Sequence, residues 1–120
     1  MSIARSLGVL AAGGLFKLGV ESAGRSLVET VGTPDEQSST LAGMMLVQAG
    51  PRSTPLVIEA LRKGQKTPAL ATILGDLGGP DAEAELIRLS HADDVPLAEA
   101  ARRSLSDLEQ IRRMGEPEAQ

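Results

Sequence analysis

The chain of 120 residues contains no cysteine, no tryptophan and no tyrosine, and Phe16 is its sole aromatic residue. Without cysteine there is no disulfide framework, thiolate nucleophile or cysteine-ligated metal, and the composition suits a reducing compartment. Without aromatics beyond Phe16 there is no platform on which bases could stack. Sixteen acidic residues against twelve basic ones give a net charge of −4, so nothing draws the chain to a phosphate backbone and no nucleic-acid partner is expected. Long hydrophobic runs are missing too, and a membrane-spanning helix needs about 18 or more consecutive apolar residues. The nearest approach, Leu7 to Val20, contains Lys17 and four glycines. Arg5 before that stretch and Ser22-Ala23-Gly24 after it give the outline of a cleavable leader. Its thin charged start and the interruptions at Lys17 and Glu21 argue against cleavage.

What is present is mostly leucine (17) and alanine (16). Such residues pack helix closely against helix but build sheets poorly, because strands favour aromatic and β-branched side chains. Glycine and proline cut the chain into helix-length pieces. Residues 3–31 form one glycine-bearing amphipathic stretch, expected to be ordered by what it packs on or to break near Gly13-Gly14, and closed by Gly32-Thr33-Pro34. Asp35 caps a helix to Ala49, ended by Gly50-Pro51, and the next helix runs from about Ser53 to Lys63 before Gly64. Thr67-Pro68 opens another that stops at Gly78-Gly79-Pro80. Asp81 caps a short helix to Ser90, Asp93 or Asp94 caps the last, Val95 to Met114, and 115–120 forms a flexible tail. Apolar stripes at helical spacing accompany these divisions: Leu41, Met44 and Met45; Leu56, Val57, Ile58 and Leu61; Leu70, Ile73, Leu74 and Leu77; Leu86, Ile87 and Leu89; Ala98, Ala101, Leu105 and Leu108. The fold class is all-α.

An internal repeat orders these helices. At an offset of 29 residues Leu41 aligns with Leu70, Met44 with Ile73, Gly50-Pro51 with Gly79-Pro80, and Ile58 with Ile87. A partial third copy aligns Leu74-Gly75-Asp76-Leu77 with Leu105-Ser106-Asp107-Leu108. A period near 30 with two helices per unit is the pattern of a short α-solenoid of antiparallel helix pairs. The run Ala71–Leu89 resembles a short HEAT-type repeat of the phycobilisome-lyase kind, through Leu74, Gly75, Leu77, Gly78, Pro80, Leu86, Ile87 and Leu89. It departs where Gly79 replaces the turn aspartate and where no Val-Arg pair opens the first helix. The resemblance implies a right-handed stack used for protein–protein contact, with the second helix of each pair lining the concave side. Lyase-like chromophore attachment is a further alternative that the repeat by itself does not imply.

The resulting organisation is an amino-terminal segment 1–33, HEAT-like repeats 34–114 and the tail. In the first segment Ala4, Gly8 and Ala12 form a small-residue ridge, continued by Gly19 and Ala23, that allows close backbone approach. That segment reads either as a cap on the open end of the stack or as a docking element on another subunit or a membrane surface. Partner contact is expected from exposed charges on the second helices, namely Arg52, Glu59, Arg62, Lys63, Glu85 and Arg88, with Phe16 added from the amino-terminal segment.

Catalytic chemistry finds little support. His91, the single histidine, lies beside Asp93 and Asp94, which serve a helix cap more readily than a metal. Gly64-Gln65-Lys66-Thr67 lacks the glycines of a phosphate-binding loop, and Asp81, Glu83 and Glu85 at a helix start answer the macrodipole. Arg102-Arg103 and Arg112-Arg113 are interleaved with acids and read as a solvated face. The expectation is a non-catalytic interaction or scaffold module without cofactor, whose partner is another protein. Its place is the cytoplasm, or the edge of a membrane reached through residues 3–31.

Overall fold

The computed structural model describes residues 3–115, with side chains described from residue 6 onward. Ala4 of the small-residue ridge and Arg5 therefore have no described side chain, and the expected tail lies outside the described residues except for Gly115. Seven α-helices and one 3-10 turn account for nearly all of the described chain, with no strand among the described residues. They are α1 (Ile3–Lys17), α2 (Glu21–Val31), α3 (Glu36–Ala49), the 3-10 turn Gly50–Ser53, α4 (Thr54–Arg62), α5 (Pro68–Leu77), α6 (Pro80–Leu89) and α7 (Val95–Gly115).

Local chemistry explains most of the helix ends. The break in the amino-terminal stretch falls at Leu18–Val20, not at Gly13-Gly14. There Gly19 takes φ +104°, its N–H donates to the Phe16 carbonyl and the Val20 N–H donates to the Leu15 carbonyl, both at 3.0 Å. These two bonds close the last turn of α1 and need a residue that tolerates positive φ. Gly64 ends α4 the same way, at φ +101°. Pro68 opens α5 after Thr67, as its fixed φ favours. Asp94 caps α7, its Oδ1 accepting the Leu97 N–H at 3.0 Å. Asp81 is not a cap. Pro80 takes the first helical position after Gly79, so Asp81 and Glu83 lie inside the first turn of α6, where the macrodipole favours them.

Packing sorts the helices into two rows. Consecutive odd-numbered helices touch, α1 on α3, α3 on α5 and α5 on α7, while α2 touches α4 and α4 touches α6. The molecule is accordingly elongated, 54 × 33 × 24 Å. A small residue marks each crossing in the odd row. A Cβ placed on Gly13 would come within 2.5 Å of Met45 Sδ, one on Gly75 within 2.8 Å of Ser104 Cβ, and one on Gly43 within 3.3 Å of Ile73. Gly13, Gly43 and Gly75 recur at about the interval of the sequence repeat, so α1 shares the packing rhythm although its stripe does not align with the others. Gly13-Gly14 therefore stays helical, because Gly13 is where α3 comes close.

The core draws on every helix and is mostly leucine and alanine, with Val9 and Phe16 coming from α1 and with Leu46, Leu70, Leu74, Leu86, Ala42 and Ala101 fully enclosed. Two expected stripes are rotated. In α3 the buried positions are Ser38, Ala42 and Leu46, and Met44 is exposed; in α6 Ile87 is exposed while Ala82, Glu85, Leu86 and Leu89 are buried. Each helix touches neighbours on two sides, so the buried arc is set by the row as well as by hydrophobicity.

Candidate functional site

Five of the seven expected contact residues meet on one face. Along α4, Pro55, Ile58, Glu59 and Arg62 follow one another at helical spacings of 3, 1 and 3. Along α6, Asp81, Ala84, Glu85 and Arg88 do the same. This spacing puts each quartet on a single helix face, and the two faces line a groove of about 640 Å³ that also includes Lys63. Pro55, Ile58 and Ala84 supply its apolar part. A smaller hollow of about 310 Å³ between α2 and α4 shares Glu59 and Lys63 with it, so the face continues across the even-numbered helices.

Glu85 is not the exposed acid that its sequence position suggests. Its side chain is 1% exposed, whereas the arginines on either side of it are 63% (Arg62) and 50% (Arg88) exposed. Arg62 reaches across from α4 and donates to Glu85 Oε1 at 3.2 Å. Arg88, one turn along α6, donates from Nε to Oε1 at 3.1 Å and from Nη2 to Oε2, a two-pronged grip. Burial by itself pushes the Glu85 carboxyl upward, but the hydrogen bonds and charges of Arg88 and then Arg62 outweigh it. The group is held below the usual carboxylate range. The product is one enclosed carboxylate beneath two half-exposed guanidiniums, a cluster of net charge +1 whose arginine heads are fixed in place.

Glu59 sits at the junction of the two hollows. Lys63 donates to it at 3.1 Å and Arg25 of α2 stands 4.0 Å away. The Lys63 hydrogen bond and charge lower its carboxyl, with a smaller contribution from Arg25. No buried side-chain polar atom among the described residues lacks a hydrogen-bond partner.

No match to the chain emerged from family models, curated proteins or solved structures. The site is therefore read from its own residues.

The other two expected residues serve the fold. Phe16 is 1% exposed and is not available to a partner. It lies at the corner between α1 and α2, against Gly24, where a Cβ would come within 2.6 Å of the ring, and beside Leu56. Burial is favoured because this is the largest apolar side chain of the molecule and Gly24 leaves room for it. Arg52, on the 3-10 turn, covers the same corner. Its guanidinium stands 4.6 Å from the Phe16 ring centre and donates to the Phe16 and Lys17 carbonyls. Both carbonyls lie in the last turn of α1, the Phe16 oxygen accepting the Gly19 N–H as well, and a cation belongs at a helix C-terminus. Arg52 thus fastens α1 to the rest of the chain.

Elsewhere the described residues offer little chemistry. His91 is exposed in the loop after α6, and no group of three or more metal-binding side chains occurs among the described residues. No described helix is long and apolar enough to cross a membrane. Pro55, Ile58, Asp81 and Ala84 are groove residues that sequence reasoning passed over. The identical 3-1-3 spacing on two helices was the signal that could have found them.

Proposed function

We propose that this protein is a non-catalytic interaction module built from HEAT-like helix pairs, and that α4 and α6 hold a partner segment between them. The observation that carries this reading is the paired arginines set on buried Glu85 at the edge of an apolar-floored groove. Recognition sites for a carboxylate-bearing segment need guanidinium heads held in a fixed fork and apolar area beside them. The site has both. Two rows of helices in consecutive contact, with a crossing repeated every 30 residues or so, support the solenoid part of the proposal.

Substituting Ala84→Arg tests it. Ala84 is exposed on the groove wall and belongs to neither the core nor the ion-pair cluster, so a long side chain there fills the groove and leaves the fold intact. Affinity purification of the full chain from its own cells should recover a partner that the Ala84→Arg chain, equally folded by circular dichroism, does not. An unchanged set of partners would rule the groove out.

A further inference from the structure

The two ends of the odd row differ. At one end α7 turns Arg102, Arg103, Glu109 and Arg113 outward, a mostly charged surface in which Val95, Ile111 and Met114 are exposed singly near the helix ends. At the other end α1 exposes Leu7 (60%), Leu10 (46%) and Leu15 (48%), with Ala11 and Gly14 between them, and Leu18 (84%) follows directly after the helix, its N–H still donating to the Gly14 carbonyl at 3.2 Å. A terminal helix that closes a stack carries a polar outer face, and α1 does not. From the symmetry of this face we infer that it is covered by the α1 of a second copy, in an antiparallel, two-fold pairing.

The symmetry lies in the residue positions. Leu7, Ala11, Gly14 and Leu18 follow at spacings of 4, 3 and 4, which is the seam of a helix pair. Antiparallel pairing about a point between Ala12 and Gly13 sets Leu7 opposite the second copy's Leu18 and Ala11 opposite its Gly14. Bulky side chains meet at both ends and small ones let the backbones approach in the middle. Leu10 and Leu15 flank the seam on opposite sides, and each stands beside its own symmetry mate, about 7.5 Å along the axis. The one described charge near the seam, Lys17, is about 13 Å along the axis from its mate, so no like charges oppose. A two-fold interface requires one patch complementary to itself, and every large residue of this face has a counterpart of its own kind.

Area and charge favour a second copy over lipid. The four leucines expose on the order of 400 Å² per copy, a patch of the size that is often functional. Two such faces with their small residues approach the ~1,000 Å² that separates specific interfaces from incidental ones. A helix lying on a membrane carries lysines and arginines along its polar face, whereas this chain has net charge −4 and the described part of α1 offers only Lys17.

Light scattering coupled to gel filtration of the full chain tests the inference, with four species compared. The unaltered chain should run as a dimer. Leu7→Glu with Leu18→Glu sets acids opposite each other and should give monomers of unchanged helicity, with the dimer dissociation constant raised about tenfold or more. Leu7→Lys with Leu18→Glu sets opposite charges against each other and should restore the dimer. Because the chain has no cysteine, Ala11→Cys near the two-fold axis should cross-link into disulfide dimers on mild oxidation, which gives a readout even if the charged variants unfold. A monomeric unaltered chain would overturn the inference, whether it floats with vesicles of phosphatidylcholine and phosphatidylserine or stays free of them. So would a dimer that survives both acidic substitutions.

Discussion

Removing Arg62 and Arg88 together should harm this protein far more than removing the acid they hold. In Glu85→Gln the guanidiniums, already half in water, become fully hydrated, and the amide still fits the site. What is lost is a set of charge-assisted hydrogen bonds weakened by that exposure, about 1 kcal/mol. In Arg62→Met with Arg88→Met the carboxylate stays enclosed without a partner, and stripping one partner set from a buried charge costs about 3–5 kcal/mol. Protonation sets a ceiling on that cost. Neutralising a carboxyl whose ordinary value is 4.5 takes about 3.4 kcal/mol at pH 7 and about 0.7 at pH 5, at 1.36 kcal/mol per unit. The double-arginine variant should therefore be about 3–4 kcal/mol less stable than the unaltered chain at pH 7, and the deficit should shrink to about 1–2 kcal/mol by pH 5, where protonation costs little and mainly the lost arginine contacts remain.

The unaltered chain should show the opposite slope at lower pH. Its Glu85 carboxyl lies below 4.5 when folded, so the stability it contributes is complete above that value and is lost as pH falls through the folded one. Urea denaturation followed by helical circular dichroism at pH 7, 5 and 4 measures all of this. Adding Glu85→Met to the double-arginine variant should recover most of the lost stability, because an apolar triad satisfies an enclosed site. The reasoning fails if the double variant is no worse than Glu85→Gln at pH 7, or if its deficit is the same at pH 5.

Three further outcomes follow from the packing. Phe16→Ala should cost about 3–4 kcal/mol, a fall of roughly 10–20 °C in melting temperature, whereas Gly24→Ala should be harmful alone and less so when combined with Phe16→Leu, which vacates the space its Cβ needs. Arg52→Met should lower stability by about 1–2 kcal/mol through loss of the carbonyl contacts at the end of α1, and amide exchange in α1 should quicken more than in α5. Asp94→Ala should cost about 1 kcal/mol in urea denaturation by leaving the Leu97 N–H without its cap.

Legibility in the sequence followed the range of the interaction. Gly64, Thr67-Pro68 and Asp94 mark helix ends through contacts within five residues, and the helices end or begin there. The 3-10 turn at Gly50–Ser53 was not legible, because it is secured by the Ser53 hydroxyl donating to the Leu46 carbonyl at 2.6 Å, a contact of tertiary character. Nor was the burial of Glu85. Its acidity suggests a solvated charge, and enclosure is tolerable through Arg88 on the same helix together with Arg62, 23 residues earlier on another helix, a partner that sequence spacing does not reveal. Met44 and Ile87 show the same limit from the apolar side. Periodicity locates the stripe to within a residue or two, but the neighbouring rows decide which edge of it faces water. Of the candidate site, the charged residues on α4 and α6 were legible as a set, and their mutual geometry was not.

The scarcity of aromatic residues bears on assembly as well as on the fold. Where rows of helices touch through Gly13, Gly43 and Gly75, the layers are too thin to enclose a second ring, and the one ring present fills the corner where α1 turns into α2. That corner is tied to the 3-10 turn by Arg52, so the outer leucines of α1 are carried on a helix fixed at its far end. A stack extended by head-to-tail contact would need its two ends to complement each other, and open contacts of that kind grow without limit. Here one end is apolar, with Lys17 as its one described charge, and the other is densely charged, so α1 has no fit on α7. The pairing of α1 with α1 uses up the leucine-bearing end of both copies and leaves the mostly charged ends outward. Growth then stops at two, with the α4–α6 groove of each copy left open to a partner.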